Sequence, residues 1–304
     1  MKRPGLTLAA FALAFCVLCA LGLRARPASA CSCSGQGPAS ALTRPDQTWG
    51  IRASERLLVG FGAFNAHGTY AAFAPGEHDR TVEYALLAAL RVRRWELSAS
   101  FGYGARIVDI SGEFARSVGF GDAALRARYE VFDEPMSWQD GIYPALALLA
   151  SLGVPSGDAR GIAPRGVGAS EFALGISAER SFAQLFRAGV VAQAAARLPD
   201  DSLGVSRQLG PRATAELTLS YFAASDLVLS ALVSMRWEGN VSLADRLQSG
   251  TAQRWSEVGA AISWQPWAKP FRAGFAERYA PGLSQLGANT VQSATSELWL
   301  GYVR

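Results

Sequence analysis

The chain has 304 residues, half of them hydrophobic, with 29 basic and 25 acidic side chains. Four of the basic residues (Lys2, Arg3, Arg24, Arg26) and none of the acidic ones lie in the first 30, so without that segment the chain is neutral and gives no reason to expect nucleic acid. Of four cysteines only Cys31 and Cys33 lie beyond residue 30, which excludes a disulfide-stapled core.

Residues 1–30 join a basic start to an apolar run from Leu6 to Leu23 and the small-residue ending Ala28-Ser29-Ala30, the pattern of a secretory signal cut after Ala30. An uncleaved anchor is the alternative, because the run is close to the roughly 18 to 20 residues that span a bilayer. Cleavage before Cys31 would also fit lipidation of that cysteine, with Ala28 where a Leu would strengthen the match. A metal role for Cys31 and Cys33 has no nearby histidine or third cysteine to complete it, so neither metal nor cofactor is expected. Residues 31–47, "CSCSGQGPASALTRPDQ", have no periodicity and predict a flexible leader, which leaves residues 48–304 for the fold. No apolar run of about 18 residues follows the signal, so no further transmembrane helix is predicted.

From Arg56 onward the chain alternates. In "TVEYALLAALRV" Val82, Tyr84, Leu86, Leu90 and Val92 share one face and Glu83 and Arg91 the other. "ELSASFGYGARIV", "RATAELTLSYF" and "DLVLSALVSMRWE" behave in the same way. The stretch "GFGDAALRARYEVF" at 119–132 also fits a helix, since Leu125, Tyr129 and Phe132 are spaced at helical intervals. Its strand-like neighbours decide for strand. Twelve segments are predicted, at 56–70, 81–93, 95–109, 120–132, 143–154, 168–180, 185–198, 210–222, 226–238, 252–265, 270–280 and 291–303. Alternation over 10 to 13 residues exceeds the usual soluble strand of about five or six and suits a tilted bilayer-crossing strand of roughly 9 to 11.

Short links such as "RW", "SFAQ", "AAS" and "PWAK" alternate with long polar stretches such as "PSGDARGIAPRGVG" and "GNVSLADRLQSG". That asymmetry is expected of an all-β, single transmembrane antiparallel up-and-down β-barrel of about 12 strands, with both termini periplasmic. The link from Asp133 to Ile142 is longer than this arrangement wants. Trp95, Trp264, Trp267, Phe271 and Tyr302 fall at predicted periplasmic ends, and Trp237 and Trp255 near outer ends, where interfacial aromatics belong. Aromatics filling a soluble barrel or sandwich are the competing reading.

By alternation the lumen receives Glu83, Arg91, Glu96, Arg106, Asp122, Arg126, Arg128, Glu130, Glu171, Glu179, Arg187, Arg197, Arg212, Glu216, Asp226, Arg236, Glu257, Arg272, Arg278 and Glu297. These side chains either cross-link into a network that stiffens a closed barrel or line a hydrated path for a polar solute. A closed barrel would serve as a scaffold or act through its loops. A membrane-embedded hydrolase is the weakest alternative: the only histidines, His67 and His78, sit near the first outer loop with no nucleophile motif.

"GFGDAALRARYEVF" followed by "YPALALLASLGVPSGDARG" resembles the paired "G-x-GD…(K/R)Y" and "lPTG" segments of the outer-membrane barrel family named for the meta-pathway of phenol degradation. Ser156 stands where that pattern usually has Thr, and the likeness covers about 40 residues. The resemblance implies a transporter-type barrel and carries over no catalytic residue. The expectation is therefore a non-enzymatic outer-membrane channel of a Gram-negative cell, passing small solutes. Its partners would be outer-membrane lipid and the barrel-insertion machinery.

Overall fold

The computed structural model of the protein describes residues 42, 47–132, 144–157, 163, 166–182, 185–201, 206–266, 269–283 and 286–304. In chain order the strands are β1 (Trp49–Phe64), β2 (Tyr70–Ala72), β3 (His78–Val92), β4 (Trp95–Ile110), β5 (Glu113–Phe120), β6 (Ala123–Phe132), β7 (Ala145–Val154), β8 (Glu171–Phe182) and β9 (Phe186–Arg197). They continue with β10 (Arg207–Gln208), β11 (Arg212–Phe222), β12 (Leu227–Glu238), β13 (Ser242–Leu243), β14 (Arg246–Leu247), β15 (Gln253–Trp264), β16 (Phe271–Tyr279) and β17 (Thr290–Val303).

Twelve of these, β1, β3, β4, β6 to β9, β11, β12 and β15 to β17, pair antiparallel with their neighbours, and β17 pairs back onto β1 from Gly50↔Val303 to Phe64↔Thr290. These twelve strands thus close into a barrel, the form in which strands can cross lipid because the ladder closes on itself. Short β10, β13 and β14 form a separate sheet in the long-loop region.

Hydrophobicity is inverted relative to a soluble barrel. Tyr84, Leu90, Leu125, Leu148, Leu174, Leu217 and Leu298 are exposed on the outer wall, while Arg52, Arg91, Glu96, Arg128, Glu179, Arg187, Glu257 and Glu297 are buried inside. An apolar outer wall of this kind suits a lipid surround, and the barrel wall shields the second set. At the short-turn end the outer wall carries aromatics, with Trp95 4.8 Å from Tyr129 and Phe271 5.4 Å from Tyr302. Two carboxylates break the apolar band. Glu55 faces outward between Tyr84 and Leu298, and Glu277 faces outward with a hydrogen bond donated by Ser296 Oγ at 2.7 Å.

Three of the departures from the predicted elements have local causes. The first strand runs from Trp49 to Phe64 instead of over 56–70, with Tyr70–Ala72 a separate strand; the consecutive polar residues Ser54, Glu55 and Arg56 hide the alternation at its start. Glu113–Phe120, expected as loop, is strand β5 on the outer half of β4, after a turn in which Ser111 and Gly112 both take positive φ. β6 then pairs with the other half of β4, so β5 and β6 are one long strand interrupted at Gly121-Asp122. In β6 the register shifts between Glu130 and Phe132, a bulge at Val131. Strict alternation would turn Phe132 inward; the bulge turns it outward opposite Leu146, beside Leu125 and Tyr129. The remaining strands begin and end within three residues of their predicted bounds.

Residues 1–30, Cys31, the link 133–143 and Trp267 lie outside the described residues. Of the leader, Leu42 and Gln47 are described and both are buried. Leu42 packs against the inward-facing Leu87, Ala89 and Val303 at the short-turn end.

Candidate functional site

The barrel interior stacks its charges in three levels. At the long-loop end Arg106 holds Asp79 through two bonds of 3.1 and 2.8 Å, and Arg197 takes Glu238 in the same forked manner at 2.8 and 3.1 Å. Arg197 also reaches Glu171 at 2.9 Å, and Glu171 is shared with Arg212. The planar guanidinium suits such bidentate contacts, and two arginines on one carboxylate tie β8, β9, β11 and β12 together.

At the short-turn end Arg91 donates to Glu96 at 2.8 Å, with both side chains about 5% exposed, and lies 3.8 Å from Glu130, which also takes Arg128. Arg52 pairs with Glu297 across the β1–β17 seam and stacks on Trp299, 4.8 Å from the ring centre. Gly274 makes room for that indole: a Cβ there would come within 2.4 Å of Trp299. Arg187 packs on Phe222 at 5.3 Å, and Arg272 is buried at the same end.

Between these levels the described residues enclose two cavities of about 320 and 500 Å³. Arg126, Glu216, Trp255, Glu257 and Arg278 stand in the walls of both and form the septum between them. Arg278 lies 3.6 Å from Glu216 and 4.0 Å from Glu257, and Ser234 donates to Glu257 at 3.2 Å. Arg236 lies over the Trp255 ring at 4.5 Å and reaches Glu238 at 3.4 Å. Trp255, expected at the outer membrane interface, therefore faces the interior, because it pairs with inward-facing Arg236 rather than with a lipid-facing residue. Asp226, expected in the lumen, instead sits in the turn before β12 and accepts from the indole of outward-facing Trp264 at 3.2 Å.

Asp122 lines the larger cavity and also holds a loop. It lies at the break between β5 and β6, where its Oδ1 accepts from Gly157 N at 3.0 Å and its Oδ2 from Val167 N at 2.6 Å. Ser156 Oγ donates to the Gly121 carbonyl at 2.8 Å and accepts from Ala123 N at 2.9 Å. The loop after β7 is thereby latched onto the rim of the larger cavity, with Ser117 Oγ donating to the Ala163 carbonyl at 2.6 Å and Arg207 to that of Val167 at 2.8 Å. "GD" and "PSG", the segments that carry the family resemblance, are thus two halves of one hydrogen-bonded junction.

Sequence reasoning had no signal for Arg52, Asp79 or Leu42 as interior residues, since they precede the detected alternation or lie in loop and leader; Arg56, at the start of the first predicted strand, also lines the larger cavity. Neither histidine is bonded to a serine hydroxyl among the described residues: His78 Nδ1 contacts the Gly76 carbonyl at 3.0 Å, and the His67 amide donates to Asn65 Oδ1 at 2.9 Å. No group of three His, Cys, Asp or Glu suited to a metal ion occurs among the described residues.

The chain superposes on an outer-membrane channel from Pseudomonas putida F1 with a TM-score of 0.74 and 14% identity, over 88% of this chain and 98% of that one. It is similar at TM-score 0.50 to a NanC porin, with 8% identity over 84% of this chain and 98% of the other. The translocator domain of the autotransporter NalP from Neisseria meningitidis also matches at 0.50, with 14% identity over 84% and 88%. No protein-family description and no curated protein matches the sequence. The fold is that of outer-membrane β-barrels, shared with a channel, a porin and an autotransporter translocator.

Proposed function

We propose that the protein is an outer-membrane channel through which small polar solutes pass passively, exported after removal of residues 1–30. The observation that carries this reading is the pair of interior cavities divided by a charged septum. An interior serving only to stiffen the barrel would close its charges against one another throughout, as they do at both ends. The open middle level instead leaves polar side chains facing space large enough for a small solute, with oriented charges to select it. The likeness to the Pseudomonas channel fits this reading, and the "GD" and "PSG" junction fits membership of the phenol meta-pathway barrel family. Refolded protein in a planar bilayer tests the proposal: stepwise conductance is expected, and no current above background refutes it.

A closed scaffold barrel is the second reading, favoured by Leu42 packed inside the short-turn end and by the loop latched on Asp122. Deletion of residues 31–46 separates the two. A rise in conductance marks the leader as an obstruction of a channel, whereas silence before and after marks a closed barrel.

A further inference from the structure

The septum contains one cation whose compensation is missing. Arg52 on β1, Arg91 on β3, Arg106 on β4 and Arg128 on the same strand as Arg126 each meet a carboxylate. Arg126 has neither an ion pair nor a hydrogen bond among the described residues. Its wall neighbours explain why: β4 places Ser98 opposite it and β7 places Ser151, so hydroxyls stand where the adjoining pairs have acids. Arg126 lines both cavities, so a solute crossing from one to the other passes it.

A second, independent observation lies in the shared wall. Trp255 Nε1 is buried and has no acceptor among the described residues, while one face of its ring is covered by Arg236. A buried donor without a partner forgoes a hydrogen bond, and an acceptor supplied by a ligand would restore it. Leu149 and Val191 add apolar side chains to the smaller cavity. Glu216 and Glu257, both close to Arg278, would oppose a second negative charge.

We infer that the septum is a binding site for a small organic monocarboxylate, whose carboxylate is held by Arg126 and whose chain lies toward Leu149 and Val191. This rests on the channel reading for its role in transport, but binding itself does not require conduction. A guanidinium in a confined space walled by protein holds a carboxylate more strongly than it does in bulk water, because the effective dielectric is lower.

Calorimetric titration of the refolded full chain with butyrate, and with uncharged butyramide, tests the site. Butyrate is expected to bind and butyramide not to. Arg126→Gln should weaken butyrate at least tenfold, Trp255→Phe severalfold, and Glu277→Gln on the outer wall not at all. Heat-modifiable migration verifies that each variant is folded, and should Arg126→Gln not fold, Trp255→Phe decides by itself. Butyrate binding that is absent, equal to that of butyramide, or unchanged in the folded variants overturns the site even if the barrel conducts. Binding lost in Arg126→Gln upholds the site even if no current is seen, in which case only the channel reading fails.

Discussion

Replacing Asp122 with alanine should release the loop that follows β7. Its carboxylate accepts two backbone N–H bonds, from Gly157 at 3.0 Å and Val167 at 2.6 Å, and nothing in an alanine replaces them. A hydrogen bond to a charged group contributes about 1.5 kcal/mol at the lower end of its range, so the pair contributes about 3 kcal/mol to keeping the loop down. With a factor of ten for every ~1.4 kcal/mol, the open population should rise roughly 100-fold. Asp122→Asn keeps one acceptor oxygen and should show roughly a tenfold rise on the same scale. Amide hydrogen exchange at Gly157 and Val167 reads this directly, and tryptic cleavage at Arg160 and Arg165 reads it independently. Unchanged exchange and cleavage in Asp122→Ala would refute the latch, because no other bond to these two amides is present among the described residues.

Arg91→Met should destabilise the barrel by about 3 to 5 kcal/mol in urea unfolding, because Glu96 then loses a buried partner, while Arg91→Met with Glu96→Leu should recover most of the loss. Equal destabilisation in the single and double variants would contradict this. Glu55→Leu should stabilise the lipid-inserted protein by about 1 to 2 kcal/mol in the same assay, since a carboxylate on the lipid face is costly though less so than a cation. Glu77 lies in the exposed turn before β3, and the amides of Ala74 at 2.7 Å and Ser111 at 2.6 Å hold its carboxyl below the usual carboxylate range. Its folded value is depressed, so the contact is fully present above the ordinary carboxylate range and is lost as pH falls through the lower folded value. Exchange protection of the Ser111 amide should therefore persist at neutral pH and disappear in acid, and Glu77→Gln should make it nearly independent of pH.

Period two was legible in the chain because lipid and interior impose opposite demands on successive residues, as Leu125 and Arg126 show on one strand. Strand number and most strand limits followed from that. Alternation likewise assigns Arg91, Glu96, Arg106, Arg126, Arg128, Glu130, Glu171, Arg187, Arg212, Glu216, Arg236, Glu257 and Arg272 to the face opposite the apolar one. Where alternation is interrupted the sequence carries no such signal. The Val131 bulge reverses Phe132, and the polar run at 54–56 conceals the start of β1. A period assigns a residue to a face but not to a partner, since partners come from neighbouring strands far away in the chain. Asp122 reaches Gly157 and Val167, Arg52 meets Glu297, and Leu42 enters the barrel because closure brings those strands around it. Only the tertiary register could leave Arg126 between two serines and set Trp255 under Arg236, for these depend on how strands align rather than on what each contains.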